Sequence, residues 1–327
     1  MAAIIKVEGL TKKFSAGLTA VNNISFEVEE GSIFGFLGPN GAGKTTTINI
    51  LCTLLAPTSG RAMVDGHDCQ KESRMVRKSI GIVFQDTTLD KDLTAYENLA
   101  FHAYIYGIRG PEVKKRADEA LNFVDLYNRK DDLVKRFSGG MKRRLEVARG
   151  LIHRPKVLFL DEPTLGLDPQ SRANLWGAIT KLPKEHGVTV FMTTHYLDEA
   201  EVCDRLAIID HGKIIAGGTP SELKAFIGGG VIFIKTADNA QAARQLKSSA
   251  GLDAQEIEGE LLVSAAQPES TIPSVIKTLA DKVLSIRVET PTLNDVFLKL
   301  TGREIRPEEA KGSDTIKEEV RAWRRKH

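Results

Sequence analysis

Gly38-Pro39-Asn40-Gly41-Ala42-Gly43-Lys44-Thr45-Thr46 sets three glycines beside a lysine and two hydroxyls. Glycines let a backbone bend sharply and bring its N–H groups close to an anion. Lys44 can reach the terminal phosphates of such a ligand, and Thr45 can offer its hydroxyl to Mg2+. The other residues able to do chemistry lie far along the chain. Asp161 is suited to hold Mg2+, directly or through water. Glu162, next to it, is suited to act as a general base or to position a water near a γ-phosphate. His195 reads either as a structural residue or as a donor to a γ-phosphate oxygen that also orients the attacking water. Ser138-Gly139-Gly140 reads either as a plain helix cap or as a second anion site built from free N–H groups, a hydroxyl and a helix dipole.

Each of these groups needs an element to carry it. The apolar run 33–37 predicts a buried strand. After the glycines, Ile48, Leu51, Cys52 and Leu55 fall on one face of a helix over 47–55. Strand, glycine loop and helix are the context a phosphate-binding loop requires. The run 157–160 predicts a fully buried parallel strand that ends at Asp161-Glu162, and 188–192 predicts another that ends at Thr193-Thr194-His195. Two carboxylates at the end of a buried strand are costly without a partner or a task. The strand 80–84 ends at Gln85, where α/β folds place ligand groups, although a solvated loop residue is the usual case.

Alternation at Ile24, Phe26 and Val28 suits a half-exposed antiparallel pair formed by 4–10 and 21–28. Phe14, between them, reads equally as a core aromatic or as a platform for a purine base. A short strand at 62–65 and a pair at 206–209 and 213–215 complete the strands. From Asp86 to about His153 the pattern is helical, over 94–106 and 111–126, and this stretch reads as an insertion into the core. Its last helix carries the apolar stripe Met141, Leu145, Ala148, Leu151 and Ile152. Arg143 and Arg144 read as a solvated face of that helix. Asp168 is placed to cap the helix that follows.

At 327 residues there is room for one large core and a smaller second domain. Charged residues are 27% of the chain but the net charge is only +2, which gives no case for nucleic acid or a membrane surface as ligand. No signal-peptide pattern and no apolar run of about 20 residues is present, so a soluble, cytoplasmic protein is expected. Cys52, Cys69 and Cys203 have no metal spacing and imply no disulfide framework, and two of them sit in apolar or helical patterns where a buried thiol is the default.

Taken in order, the glycine loop at 38–46, Gln85, Ser138-Gly139-Gly140, Asp161-Glu162, Asp168 and His195 resemble the motif set of the nucleotide-binding subunits of ABC transporters. The resemblance spans residues 4 to about 225. The chain departs from it with Phe137 and Met141 where the commonest signature has Leu and Gln, and with Phe14 where Tyr is usual. Met141, with the arginines after it, is similar to the daunorubicin-resistance type of exporter ATPase. The resemblance implies an α/β, P-loop NTPase core of the ABC type with an antiparallel β subdomain and a helical insertion. It implies ATP and Mg2+ as cofactors. Phe14 would stack on the adenine, and Gly38 to Thr46 would bind the phosphates. Thr45, Gln85 and Asp161 would serve the metal, and Lys44, Glu162 and His195 the hydrolysis. Ser138, Gly139, Gly140 and Met141 would complete the site of a second copy, with Asp168 linking the two. The partners implied are that second copy and a multi-span membrane permease, not nucleic acid. The chain would sit on the cytoplasmic face of the membrane, hydrolysing ATP to power export of a drug, lipid or polysaccharide. The competing expectation is a soluble ABC-type ATPase acting on ribosomes or nucleic acid.

The nucleotide-binding domain is expected over 1–227, with its helical subdomain at about 86–153. Gly228-Gly229-Gly230 reads as a linker. A small α+β domain, ferredoxin-like in its alternation, is expected over 228–302, with a dimer-holding or regulatory role set against a non-functional appendage. Residues 303–327 read as a frayed, solvated charged tail, set against a short helix with Ile316, Val320 and Trp323 on one face that contacts anionic lipid or the membrane partner.

Overall fold

The computed structural model describes residues 2–301 apart from 16, 228, 258, 266 and 290. The tail reading therefore lies outside the described residues. The chain divides into two compact units, the first running to Thr219 and the second starting at Pro220.

The first unit holds two sheets. One is antiparallel, with β1 (Ala3–Lys13), β2 (Thr19–Glu29), β4 (Ser59–Val64) and β5 (His67–Asp68) in the order β2-β1-β4-β5. The other has six strands in the order β10-β9-β3-β8-β7-β6. These are β3 (Ile33–Leu37), β6 (Ile80–Val83), β7 (Val157–Asp161), β8 (Thr189–Thr194), β9 (Arg205–Asp210) and β10 (Lys213–Gly218). All pair in parallel except β10, which returns antiparallel on β9. The strands β3, β7 and β8 are buried at every residue, as continuous apolar runs require in a parallel sheet covered on both faces. Register sets the site: Leu37 pairs with Thr194, and Asp161 pairs with Thr193. The carboxyl ends of three neighbouring strands thus finish level.

Helices α1 (Lys44–Leu51), α2 (Ser73–Ser79), α6 (Pro169–Ile179), α7 (Leu182–His186) and α8 (Leu197–Ala200) connect these strands. The insertion carries α3 (Ala95–Ile105), α4 (Pro111–Phe123) and α5 (Gly139–Leu151). A capping box starts α3: the Thr94 hydroxyl accepts from Glu97 N–H while the Glu97 carboxylate accepts from Thr94 N–H. Phe191 on β8 anchors the core, with ring centres 5.4 Å from Phe34 and Phe159 and 5.7 Å from Phe36.

The second unit contains α9 (Pro220–Ile227), β11 (Gly230–Thr236), α10 (Asn239–Ala250), β12 (Ala254–Ile257), β13 (Glu260–Ala265), α11 (Pro268–Leu279), β14 (Val283–Glu289) and α12 (Leu293–Thr301). From β11 to β14 the order is βαββαβ, and the antiparallel sheet runs β12-β13-β11-β14, the ferredoxin-like arrangement. The unit begins ahead of the glycine run at 228–230 because α9 packs on α12. Its sequence hid one strand. Ala254-Gln255-Glu256-Ile257 has no apolar alternation, and backbone pairing with β13 makes it a strand.

Replacing Phe191 by Ala removes the ring that Phe34, Phe36 and Phe159 share. Urea titration should show a loss of about 3–5 kcal/mol.

Candidate functional site

The loop between β3 and α1 wraps the Lys44 ammonium. Its Nζ donates to the carbonyls of Gly38 at 2.7 Å and Pro39 at 3.2 Å, and lies 3.2 Å from Glu162 Oε1. Gly43 stands just before the helix at φ 109, and a Cβ there would come within 2.4 Å of the Ala20 carbonyl. Only glycine fits both conditions. The first N–H groups of α1 therefore open onto the loop with a positive dipole end behind them. Burial lowers the Lys44 pKa, and the charge of Glu162 opposes that shift.

Asp161 ends β7 and is buried. Its Oδ1 accepts from the Thr193 hydroxyl at 2.6 Å and from the Thr45 hydroxyl at 3.4 Å. Burial raises its pKa even against these bonds, so the carboxylate carries charge that its protein neighbours under-compensate. That fits a divalent cation such as Mg2+, which binds phosphate sites through one or two carboxylates plus the phosphates themselves. Thr45, exposed, and Asp161 would be the protein's donors. Among the described residues no cluster of three His, Cys, Asp or Glu forms an all-protein metal centre.

Glu162 has a left-handed backbone, φ 46, unusual for a residue with a Cβ. Its N–H donates to the Thr193 hydroxyl at 3.0 Å. Its Oε1 lies 3.3 Å from His195 Nδ1, close but too poorly aligned for a hydrogen bond. Burial pushes its pKa up, but His195 and Lys44 together outweigh burial and leave it below the usual glutamate value. Lys44, Thr45, Asp161, Glu162 and His195 thus form one connected group.

The remaining predicted residues are more scattered. Ser138 caps α5, accepting from Met141 N–H at 3.2 Å, and is exposed with Gly139. Gly140 lies so close to α6 that a Cβ would meet Ser171 Oγ at 2.3 Å. Asp168 caps α6, accepting from Ser171 N–H at 2.9 Å and from its hydroxyl at 2.6 Å. Gln85 is exposed just beyond β6. Phe14 is buried in the core, with Lys12 Nζ 5.2 Å from its ring centre.

One reading is overturned. Arg143 is not on a solvated face: it is 6% exposed and its guanidinium bonds the backbone around Asp161 and Glu162. Arg144 is only half-exposed and donates to the Val124 carbonyl at 2.8 Å. Sequence reasoning also missed Thr193, which holds both carboxylate residues, and Glu199, which accepts from the hydroxyls of Thr164 and Thr194. Thr193 lies at the end of β8 and Glu199 on α8 just after it, so nearness to that strand end was the available signal.

The sequence profile of the family described as "ABC transporter" matches residues 21–165, and that of "ATP-binding protein DrrA1-3-like, C-terminal domain" matches 218–301. The linearmycin resistance ATP-binding protein LnrL of Bacillus subtilis (strain 168) is 40% identical over 312 residues, 93% of this chain and 100% of the relative. The daunorubicin/doxorubicin resistance ATP-binding protein DrrA of Streptomyces peucetius is 39% identical over 307 residues, 91% of this chain and 92% of the relative. Among solved structures, cbiO1 from Clostridium perfringens, part of the ABC transporter complex cbiONQ, is 32% identical with a TM-score of 0.64, covering 76% of this chain and 95% of that one. A dimeric ATP-binding cassette in a post-hydrolysis state with ADP and Pi is 29% identical with a TM-score of 0.60, covering 66% of this chain and 98% of that one.

The Gly140 contact yields a test. Gly140→Ala should cost about 1–3 kcal/mol in chemical denaturation through overpacking. Ser171→Gly in the same chain should restore most of the loss, and an unrescued double variant would contradict the contact.

Proposed function

Since this chain belongs to the ATP-binding proteins of ABC transporters and is an ATPase, we propose that it powers export of a drug-type molecule through a separate membrane-spanning subunit. The names of two relatives, linearmycin and daunorubicin/doxorubicin resistance proteins, support that cargo class. The observation that carries the mechanism is the charged group at the strand ends. Glu162 keeps its carboxylate ionised, as a base must, and is tied to Lys44 and His195.

In this reading the loop 38–46 takes the triphosphate, its N–H groups and Lys44 facing the negative charge. Thr45 and Asp161 would hold Mg2+, which would supply neutralisation of phosphate charge. Gln85 is the further residue proposed to approach that metal. Glu162 takes the proton of the attacking water, and His195 holds that water or a γ-phosphate oxygen in place. Phe14 is the residue proposed to stack on the adenine. Ser138, Gly139, Gly140 and Met141 complete the nucleotide site of a second copy, with Asp168 at the junction. Their exposed edge at the start of α5 supports this, as does the dimeric state of the solved cassette.

The membrane subunit docks on α3. Phe101 and Ile105 are 62% and 64% exposed there, an apolar pair that a water-facing helix would not favour. No helix among the described residues is long and apolar enough to cross a membrane, so in this reading attachment is through the partner. The second unit, 220–301, is proposed to hold or regulate the paired copies.

Glu162→Gln should bind ATP while turnover falls about 10²–10⁴-fold. Lys44→Ala should weaken ATP binding by about 1.5–3 kcal/mol in a titration. Ile105→Asp should leave ATPase activity of the isolated chain intact and abolish co-purification with the co-expressed membrane subunit. Retention of that partner would move the docking site elsewhere.

A further inference from the structure

Arg143 is the most fully bonded buried charge in the first unit, and no motif assigns it a role. A guanidinium has five N–H donors in a fixed plane. Here there are five acceptors to match. Nε donates to the Pro163 carbonyl at 2.6 Å. Nη2 donates to the carbonyls of Asp161 at 3.0 Å and Glu162 at 3.1 Å. Nη1 donates to the Phe84 carbonyl and, at 3.0 Å, to Glu146 Oε2. The same Glu146, 2% exposed, accepts from Thr88 N–H at 2.9 Å through its other oxygen. Arg149 donates to the Thr88 carbonyl at 2.8 Å.

Three consequences follow from these bonds. First, consecutive carbonyls from Asp161 to Pro163 are fixed by one rigid fork. This is the turn in which Glu162 sits at φ 46, a backbone state that persists only when its surroundings over-determine it. Thr193 holds the N–H of Glu162 from one side and Arg143 holds its carbonyl from the other. Second, the segment from Phe84 to Thr88, which carries Gln85, is pinned at both ends by the Arg143–Glu146 pair. Third, both anchors sit on α5, the helix whose first turn is Ser138-Gly139-Gly140-Met141. A buried ion pair stabilises little in net terms. What it provides here is geometry.

We propose that Arg143 is a positioning residue for hydrolysis: it holds the Glu162 turn in its reactive conformation and makes that conformation depend on where α5 and the Gln85 segment lie. The serine–glycine end of α5 and the catalytic carboxylate are then joined by one side chain. A displacement of the helical insertion against the strands is felt at Glu162 through bonds rather than through bulk packing. The proposal rests on Glu162 being the base.

The test uses the full-length chain with Mg-ATP. Arg143→Lys keeps the charge but has at most three donors and no planar fork. It should retain its melting temperature within a few degrees and an unchanged KM for ATP, while kcat falls about 10–100-fold, as expected when a reacting group is misplaced by a fraction of an ångström. Combined with Glu162→Gln it should cause little further loss, because both act on one step. Glu146→Gln, which frees only one edge of the fork, should lower kcat less and also leave KM unchanged. An unchanged kcat in Arg143→Lys, a rise in KM that accounts for the whole effect, or full additivity with Glu162→Gln would overturn the proposal. If Arg143→Lys fails to fold, Glu146→Gln decides, and wild-type kcat in that variant overturns it. Wild-type turnover by Glu162→Gln alone would remove the base reading and this proposal with it, and that outcome is read on the single variant without reference to Arg143.

Discussion

A charge taken out of water must find a partner or change its protonation state. Lys44, Asp161, Glu162, Arg143 and Glu146 are all buried in the first unit, and its layout is the solution to placing them together. Lys44 balances Glu162, and Arg143 balances Glu146. Asp161 is left with hydroxyls and a raised pKa, the one member whose charge still seeks a cation. Had the three strands β3, β8 and β7 ended out of step, these groups would lie in separate, costly pockets. The parallel register that pairs Leu37 with Thr194 and Asp161 with Thr193 prevents that.

The rigid and the adjustable parts divide accordingly. The strands β3, β7 and β8 are buried throughout and stack the Phe34, Phe36, Phe159 and Phe191 rings beneath the site. The reactive residues sit one step past this slab, on turns with unusual backbone such as Glu162 and Gly43. Helix α5 packs on β6, and Arg143 adds a dense set of polar links from the insertion to the strand ends. Polar links of this kind are directional, so they transmit a position, whereas apolar packing tolerates sliding. The second unit follows its own rule: a ferredoxin-like sheet with a separate apolar core of Ile232, Ile234, Leu246, Leu261 and Val263 among others.

Chemistry was legible in the sequence wherever it depends on residue type and local order. Glycines next to a lysine, paired acids after an apolar run and a serine–glycine cap keep their meaning in any surroundings, because backbone freedom, charge and capping are local properties. The strands around them were legible for the same reason, as unbroken apolar runs bounded by turns. A short polar element such as β12 was not, since its stability comes from a neighbouring strand rather than from its own pattern.

Arg143 marks the boundary. By type and by helical position it read as a water-facing residue, and its immediate neighbours contain nothing to say otherwise. Its partners Phe84, Asp161, Glu162 and Pro163 come from the ends of two strands remote in sequence, and only folding brings their carbonyls to one point. Phe14 is similar: an aromatic by type, assigned to the core by what packs around it. Sequence alone determined which groups could hold phosphate, metal and water. Tertiary structure decided which charges are buried together and which backbone they hold in place, because burial and long-range hydrogen bonding belong to the assembled surroundings and to no single segment.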